Sequence, residues 1–573
     1  MIANRFLACL LLLCAFAPLR ELSHAADRPN ILLILADDLG YSDVGCYGGE
    51  IHTPNINGLA ASGLRYTQFY NCTRCCPSRA CLLTGLYPHQ AGVGDMTGDQ
   101  NQPGYRGSLQ PNCVTFGQVL KSAGYRTAMV GKWHVGDNIS PIDRGFDNFY
   151  GWTRGYGVNS WYEKTMIRLP VGAPQRMYQP GEYFATDALT DHAVDFLADM
   201  RQAKSPWLLY VAYQAPHFPL HARDNEVLEY QNRYREGWDR IRDERLQRQK
   251  QIKLVPPDTK LTPRSPIPLP AAAARNGSAT EDGNNPPWSA LSTQRQHDVA
   301  TRMAVYAAMV TGMDRNIGRI VEDLRANGDL DNTLIIFLSD NGACAEWEPF
   351  GFDLQPLDPN RIQPGVGINL GTQAAPSLLR DPKNISTMWH ADGMISYGSA
   401  WANVGSTPWR MYKHACHEGG ISGPMIVHWP ARIKAGNEFR RQVGHLVDIM
   451  PTFMEVSGAQ YPAENAGQKI DPPEGRSIVP TFDDKPIERE FLAWEHEGNA
   501  ALRAGDWKIV RRGGQSPWEL YNIAADRTEL NNLADQQADR VKSMTAKWQT
   551  WAERTHVFPK PGPGPNAKTK TKK

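Results

Sequence analysis

The sequence predicts an α/β protein: a mixed, largely parallel central sheet with helices on both faces, followed by a small C-terminal α+β subdomain. Three observations carry this. Short apolar runs of strand length recur, helical patterns separate them, and after about residue 488 closely spaced short strands lead into one closing helix. Continuous apolar runs, rather than alternating ones, mark strands buried on both faces of a parallel sheet.

Four such runs end in chemically capable residues. "NILLILADDLG" runs from Ile31 to Leu35 and then gives Asp37 and Asp38. "RTAMVGKWHVG" runs from Ala128 to Val130 and gives Lys132 and His134. "WLLYVAYQAPHFPLHA" runs from Leu208 to Tyr213 and gives His217 and His221. "NTLIIFLSDNG" runs from Leu334 to Leu338 and gives Asp340 and Asn341. "VTFGQVLKSAG" and "MAVYAAMVTGMDRNIGRIVEDLRANG" read as helices before the second and fourth runs. In open α/β sheets ligands bind beyond the carboxyl ends of the strands, so all four polar groups are expected at one sheet edge.

Between these runs, "LEYQNRYREGWDRIRDERLQRQKQI" reads as a charged, partly amphipathic helix, and residues 255–288, rich in Pro, Gly and Ser, as a solvated surface excursion. Packing over the mouth of the site is the alternative for that excursion. "DIMPTFMEVSG" reads as a capped helix, "ALRAGDWKIVRR" and "PWELYNI" as strands, and "LADQQADRVKSMTAKWQTWAERT" as the closing helix. The expected organisation is a leader over 1–25, a main domain over 26–487, a subdomain over 488–557 and a disordered basic tail over 558–573.

The leader reading rests on Arg5, the apolar run 6–17 and "SHA" ending at Ala25, which together resemble a cleaved signal peptide and imply export, to the periplasm or beyond. No later run approaches the ~18 apolar residues of a membrane span. Lys and Arg number 61 against 60 Asp and Glu, so nothing in the net charge draws the chain to nucleic acid or anionic lipid. Without the leader, eight of the ten cysteines remain, and an exported chain has the option of pairing them.

"CCPSRACLLTG" at 75–85 concentrates the chemistry. Pro77 suits the first turn of a helix and Gly85 its end, which sets Cys75 at a helix N-terminus, where backbone N–H groups favour an anion. Arg79 is one turn on. By itself this describes a low-pKa nucleophile, and a structural disulfide stays open. Asp37, Asp38, Asp340 and Asn341 are hard oxygen donors suited to Ca²⁺ or Mg²⁺. Lys132 and His134, at i and i+2, are expected on one side of an extended segment.

The stretch C-x-P-S-R-x-x-x-L-T-G, formed by Cys75, Pro77, Ser78, Arg79, Leu83, Thr84 and Gly85, resembles the signature of the formylglycine-dependent sulfatases. "ADDLG", "GKWHVG", "APHFPLHA", "SDNG" and "TPWRMYKHACHEGGISGPMIVHWP" are similar to that family's other motifs, in its order, from about Asn30 to Asp526. His417 stands where the family more often has Tyr. The resemblance implies an alkaline-phosphatase-like fold and oxidation of Cys75 to formylglycine by a formylglycine-generating enzyme. It also implies one divalent ion, usually Ca²⁺ with Mg²⁺ as the alternative, held by Asp37, Asp38, Asp340, Asn341 and the modified Cys75. Conversion would leave seven cysteines, an odd number for complete pairing.

Carried over residue by residue, Lys132, Lys413 and Arg79 would hold sulfate and the hydrate, His217 and Lys413 would assist the leaving alcohol, and His134 would be the base of the second step. His221, Asp314, Trp401, Asn403 and His496 are candidates for the pocket or for plain structure. Residues 221–300, 345–405 and 488–500 are expected to shape the leaving-group pocket. Sulfated carbohydrate is the expected substrate class, with aryl sulfates as artificial substrates. Two other readings are a phosphonate monoester or phosphodiester hydrolase, and a non-catalytic sulfoglycan-binding protein if Cys75 is never modified.

Overall fold

A computed structural model describes residues 28–268, 280, 282–346, 348–354 and 387–561, with short pieces between 358 and 385. The leader, residues 269–279 of the Pro-rich excursion and residues 562–573 of the tail lie outside the described residues. The main sheet contains β1 (Asn30–Ala36), β2 (Leu64–Tyr66), β3 (Arg126–Lys132), β4 (Asn148–Trp152), β5 (Ile167–Leu169), β6 (Trp207–Ala212), β7 (Thr333–Ser339), β8 (Met425–His428) and β9 (Glu438–Arg440). Its strand order is β9-β2-β8-β7-β1-β6-β3-β4-β5. The five consecutive strands β7, β1, β6, β3 and β4 are mutually parallel, whereas β8 and β5 run the other way.

Alternation along β1 divides two cores. Leu32 and Ile34 face one side with Ala304, Ala308 and Ile317 of the long helix Thr293–Ala326, and Ile31, Leu33 and Leu35 face the other with Leu82, Leu83 and Phe453. Each such fully buried Leu or Ile contributes about 1.5–3 kcal/mol through removal from water. The helix α1 (Cys75–Thr84) belongs to the second face, wholly buried and closed by Gly85 in the left-handed conformation (φ 72°).

All four predicted runs are strands of the parallel core, and their polar ends gather at its carboxyl edge. Gly131 matters to this placement. Its φ is +100°, and a Cβ there would lie 1.9 Å from the Ala212 carbonyl oxygen of the neighbouring strand. Gly131→Ala is expected to destabilise the protein by about 1–3 kcal/mol or more and to displace Lys132. Urea unfolding checks this; an unchanged midpoint would disprove the close approach.

Two readings differ from the structure. The charged helix breaks into Asp224–Tyr230 and Trp238–Gln251, because Gly237 turns the chain in the left-handed region (φ 85°). Its second half buries one face, on which Arg245 is fully buried and bonded to Asp43 at 2.6 Å and Glu50 at 2.7 Å. The excursion is also packed where it is described. Thr262, Ser265 and Ile267 are buried, and Ser265 exchanges hydrogen bonds with Asn403 and receives one from the Met411 N–H. Its Pro-fixed backbone has these partners, so it need not face water.

The C-terminal unit is an antiparallel meander of β10 (Leu492–His496), β11 (Asn499–Ala504), β12 (Trp507–Arg511) and β13 (Glu519–Asn522), covered by the helix Ala538–Arg554. Trp548 and Trp551 of that helix fill its core, and Phe558 packs against Trp548. Glu495 fastens the unit to the main domain through His89 at 3.0 Å and to the chain end through Lys560 at 2.6 Å. Burial raises the Glu495 pKa, but His89 and Lys560 outweigh it and hold the carboxyl at about 2 against an ordinary 4.5. Because the folded value lies below the unfolded one, this stabilisation is complete above pH 4.5 and fades as pH falls toward 2. Denaturant unfolding at pH 5 and pH 3 should therefore show a smaller acid loss for Glu495→Gln than for the unaltered protein.

Candidate active site

Asp37 and Asp38 follow β1, Asp340 and Asn341 follow β7, Lys132 ends β3, and His217 follows β6, so one sheet edge delivers six of the predicted residues. α1 brings Cys75 and Arg79 to the same place, and the loop before the short helix Glu418–Ile421 brings Lys413. Every one of them is buried.

Two layers of charge meet here. Lys132 Nζ donates to Asp37 Oδ2 at 2.6 Å. Arg79 donates through Nε and Nη2 to Asp340 Oδ2 at 3.1 and 2.9 Å, and through Nη1 to the Lys132 carbonyl at 2.8 Å. Lys413 Nζ reaches Asp38 at 2.9 Å and Glu346 at 3.5 Å. His217 Nε2 lies 3.4 Å from Asp38 Oδ2, while its Nδ1 is 2.5 Å from the Phe218 carbonyl. That second contact identifies Nδ1 as the protonated nitrogen and leaves Nε2 facing the site.

Burial pushes Asp37 upward, but Lys132, His217 and Arg79 overcome it and hold its carboxyl low. Asp340 goes the other way, driven well up by burial and then by the Asp37 charge. Burial opposes the charge on Lys132 and Lys413, yet Asp37 and Asp38 respectively keep both ammonium groups firmly protonated.

Cys75 is the first residue of α1, one position inside the expected helix start, with Arg74 as the residue before it. Its thiol is drawn well below the ordinary value, first by the Cys76 hydrogen bond and then by Lys132 and His134, against the effect of burial. His134 is itself held down by burial. Lys132 and His134 do converge, although not by strand alternation. The strand stops at Lys132, and His134 adopts φ +56°, which turns its ring toward Cys75.

The residues fit a hard divalent cation. Asp37 Oδ1 and Asn341 Oδ1 are buried oxygens without hydrogen-bond partners. A buried acceptor left unpaired costs about 1–3 kcal/mol, and a cation satisfies it. Asn341 now donates Nδ2 to Asp38 Oδ1 at 2.5 Å; rotating the amide presents its oxygen instead. Asp38 (φ +67°) is anchored by its own N–H to Asp340 Oδ1 at 3.2 Å. Three carboxylates and an amide form an all-oxygen set of the kind Ca²⁺ and Mg²⁺ take.

Several functional neighbours were missed by the sequence reading. Glu346 joins Lys413, lies 3.3 Å from Arg74 and accepts from His414 at 2.8 Å. Glu497, in the β10–β11 turn, reaches Arg74 at 2.6 Å and His414 at 2.8 Å. Arg74 and His414 flank Cys75 and Lys413 in the chain, and Glu346 and Glu497 fall within the stretches 345–405 and 488–500 expected to shape the pocket, although none of the four was singled out. His496 stays near this rim, its ring 6.2 Å from that of His414. His221 is buried, accepting from the Ser160 N–H. Asp314, Trp401 and Asn403 serve elsewhere: Asp314 caps the helix Pro54–Ala61 through the Asn55 and Ile56 N–H groups, Trp401 donates to the Val299 carbonyl, and Asn403 braces Ser265. His417 is buried with Nε2 3.3 Å from Glu519. The eight cysteines from Cys46 to Cys416 are all free thiols.

A parallel sheet with an oxygen-donor pocket and a helix-borne nucleophile at its carboxyl edge defines a hydrolase of the alkaline-phosphatase superfamily. The chain belongs to the sulfatase family, the sulfuric ester hydrolases of that superfamily: the sulfatase profile matches residues 29–459, and the profile of the N-sulphoglucosamine sulphohydrolase C-terminal region matches 408–554. It is 32% identical to an uncharacterized sulfatase of Schizosaccharomyces pombe over 93% of this chain and 95% of that one. An arylsulfatase of Klebsiella aerogenes is 29% identical over 76% of this chain and 88% of its own. Among solved structures, a protein in complex with its substrate D-glucosamine-2-N,6-O-disulfate superposes with a TM-score of 0.60, at 21% identity, over 93% of this chain and 99% of that one. Among the described residues no helix is long and apolar enough to cross a membrane.

Proposed function

We propose that this chain is an exported sulfatase that removes sulfate esters from carbohydrates, with Cys75 converted to formylglycine by a maturation enzyme. The observation that carries the reading is Cys75 at the N-terminus of a buried helix, grouped with His134 beside an oxygen-donor pocket. The Cys75 sulfur stands where the modified side chain would carry its oxygens. Formylglycine at this position would supply a hydrated aldehyde, whose two hydroxyls would provide the nucleophile and then the means of releasing sulfate. Asp37, Asp38, Asp340 and Asn341 would hold a divalent cation, Ca²⁺ preferred and Mg²⁺ the alternative, which would supply Lewis-acid charge at the sulfuryl group.

The chain's own residues do the rest. Lys132 and Arg79 place positive charge where the reaction builds negative charge, already oriented by Asp37 and Asp340. Lys413 and His217 converge on Asp38; Lys413, kept protonated by Asp38, is the group from which a proton passes to the leaving alcohol, with His217 Nε2 beside it. His134, neutral because burial keeps it so, accepts a proton in the second step. Export is read from the leader. The carbohydrate preference draws support from the sulfated sugar bound by the solved neighbour and from the polar rim of Arg74, His414 and Glu497.

Mass spectrometry of the peptide containing Cys75 tests the modification, and a panel of sulfated sugars with aryl sulfate and phosphonate monoester controls tests the reaction. The expected results are an aldehyde mass at position 75 and sulfate release from sugars. An intact alkylatable thiol in fully active protein would overturn the mechanism. Preferential cleavage of the phosphonate would instead favour the phosphonate hydrolase reading.

Glu497 also gives a specificity test. Glu497→Ala should raise KM for sulfated sugars by roughly 10-fold, the loss of one charge-assisted hydrogen bond, while leaving aryl sulfate turnover within about 2-fold. An equal loss on both substrate types would place Glu497 in support of Arg74 rather than against the sugar.

A further inference from the structure

A second cluster of metal-ligating side chains lies where His445, at the end of the short strand Gly444–His445, packs against α1, and the reaction makes no use of it. Cys72 precedes α1, Cys81 lies on its last two turns, and His445 starts the turn Leu446–Asp448. All three are buried, and their ligand atoms lie within 4.8 Å of one another. Cys72 Sγ is 3.8 Å from His445 Nε2, and Cys81 Sγ is 3.9 Å from Nδ1.

The geometry points to a structural site for a thiophilic divalent cation, Zn²⁺ by chemistry, held by Cys72, Cys81 and His445. Sulfur and nitrogen ligands at about 2.3 and 2.0 Å from a tetrahedral zinc stand roughly 3.5 Å apart, close to the 3.8 Å between Cys72 Sγ and Nε2, and Cys81 Sγ, measured here to Nδ1, belongs to the same group within 4.8 Å. The ring nitrogens are already sorted: Nδ1 accepts from the Val447 N–H at 3.2 Å, so Nε2 is the nitrogen that carries either a proton or a metal. Two thiolates neutralise a divalent ion, so the filled site adds no net charge to an apolar surround that includes Leu82, Leu446 and Val447. The soft donors here and the hard donors around Asp37 would sort two metals without competition.

A Cys72–Cys81 disulfide explains less. It would leave the buried Nε2–H of His445 facing only a disulfide sulfur, a poor acceptor. The cation instead would pin both ends of the Cys75-bearing segment to the 445–448 turn.

The test uses the full-length protein, exposed to Zn²⁺, dialysed, and measured for retained zinc by elemental mass spectrometry. Co²⁺ loading is followed by thiolate-to-cobalt charge-transfer absorption. One equivalent of zinc and a charge-transfer band are expected, both lost in Cys72→Ser and Cys81→Ser and both kept in Cys76→Ser, which controls for the separate Cys75, Cys76 and His134 group. Unaltered protein that retains no zinc and shows no band would overturn the site, whatever the variants do. So would a Cys72–Cys81 disulfide in the unreduced peptide map, or zinc lost with Cys76→Ser and kept with Cys72→Ser.

Discussion

Cys75→Ala is expected to abolish sulfate-ester hydrolysis, by on the order of 10⁴–10⁶-fold, while leaving the fold intact. The rate loss follows from the position of this side chain. It is the one nucleophile at the N-terminus of α1 that both Lys132 and His134 address, and alanine offers neither a thiol for oxidation nor an oxygen for attack. Binding, positioning and the cation pocket survive the change, which leaves a small residual rate rather than none. Stability should fall by no more than about 1 kcal/mol, because alanine is an excellent helix residue and only one sulfur is removed. Steady-state hydrolysis with circular dichroism and thermal unfolding reads both halves of the prediction. Normal turnover in a folded variant would refute Cys75 as the source of the nucleophile.

Arg79→Met is expected to produce the largest stability loss in the site, and one that depends on divalent cation. The guanidinium is fully buried and bonds Asp340 twice, the Lys132 carbonyl once, and stands 3.4 Å from Asp37. Methionine fills much of the volume but leaves Asp340 facing Asp37 with less positive charge between them. Removing one partner of a buried ion pair costs about 3–5 kcal/mol. A cation bound by the same carboxylates would restore part of that charge, so the loss should be larger in EDTA than in millimolar CaCl₂. Activity should fall about 10²–10³-fold through the disturbed charge around the sulfuryl group. Equal destabilisation with and without calcium would remove Asp340 from the cation site.

Much of the site was legible because strand ends in a parallel sheet leave a residue-level record. The runs ending in Asp37, Lys132, His217 and Asp340 are strands in the structure, and the sheet rule alone brings them to one edge. α1 was legible through Pro77 and Gly85, with a one-residue difference at its start. What escaped was set by contacts distant along the chain. Glu346 and Glu497 look like surface acids in sequence, and only folding puts them on Arg74 and His414. The geometry linking Lys132 and His134 was also mispredicted, since a left-handed residue cannot be read from two letters of spacing.

By itself, then, the sequence determined the α/β class, the motif residues and their family, because strand-length apolar runs and a seven-position signature are local properties. The tertiary structure alone decided which charges face one another: Arg79 between Asp340 and Asp37, Glu497 from the C-terminal hairpin at the rim, and His445 against Cys72 and Cys81. The reason is physical. A buried charge or thiol takes its protonation and its role from the groups within about 4 Å of it, and those groups come from segments hundreds of residues apart.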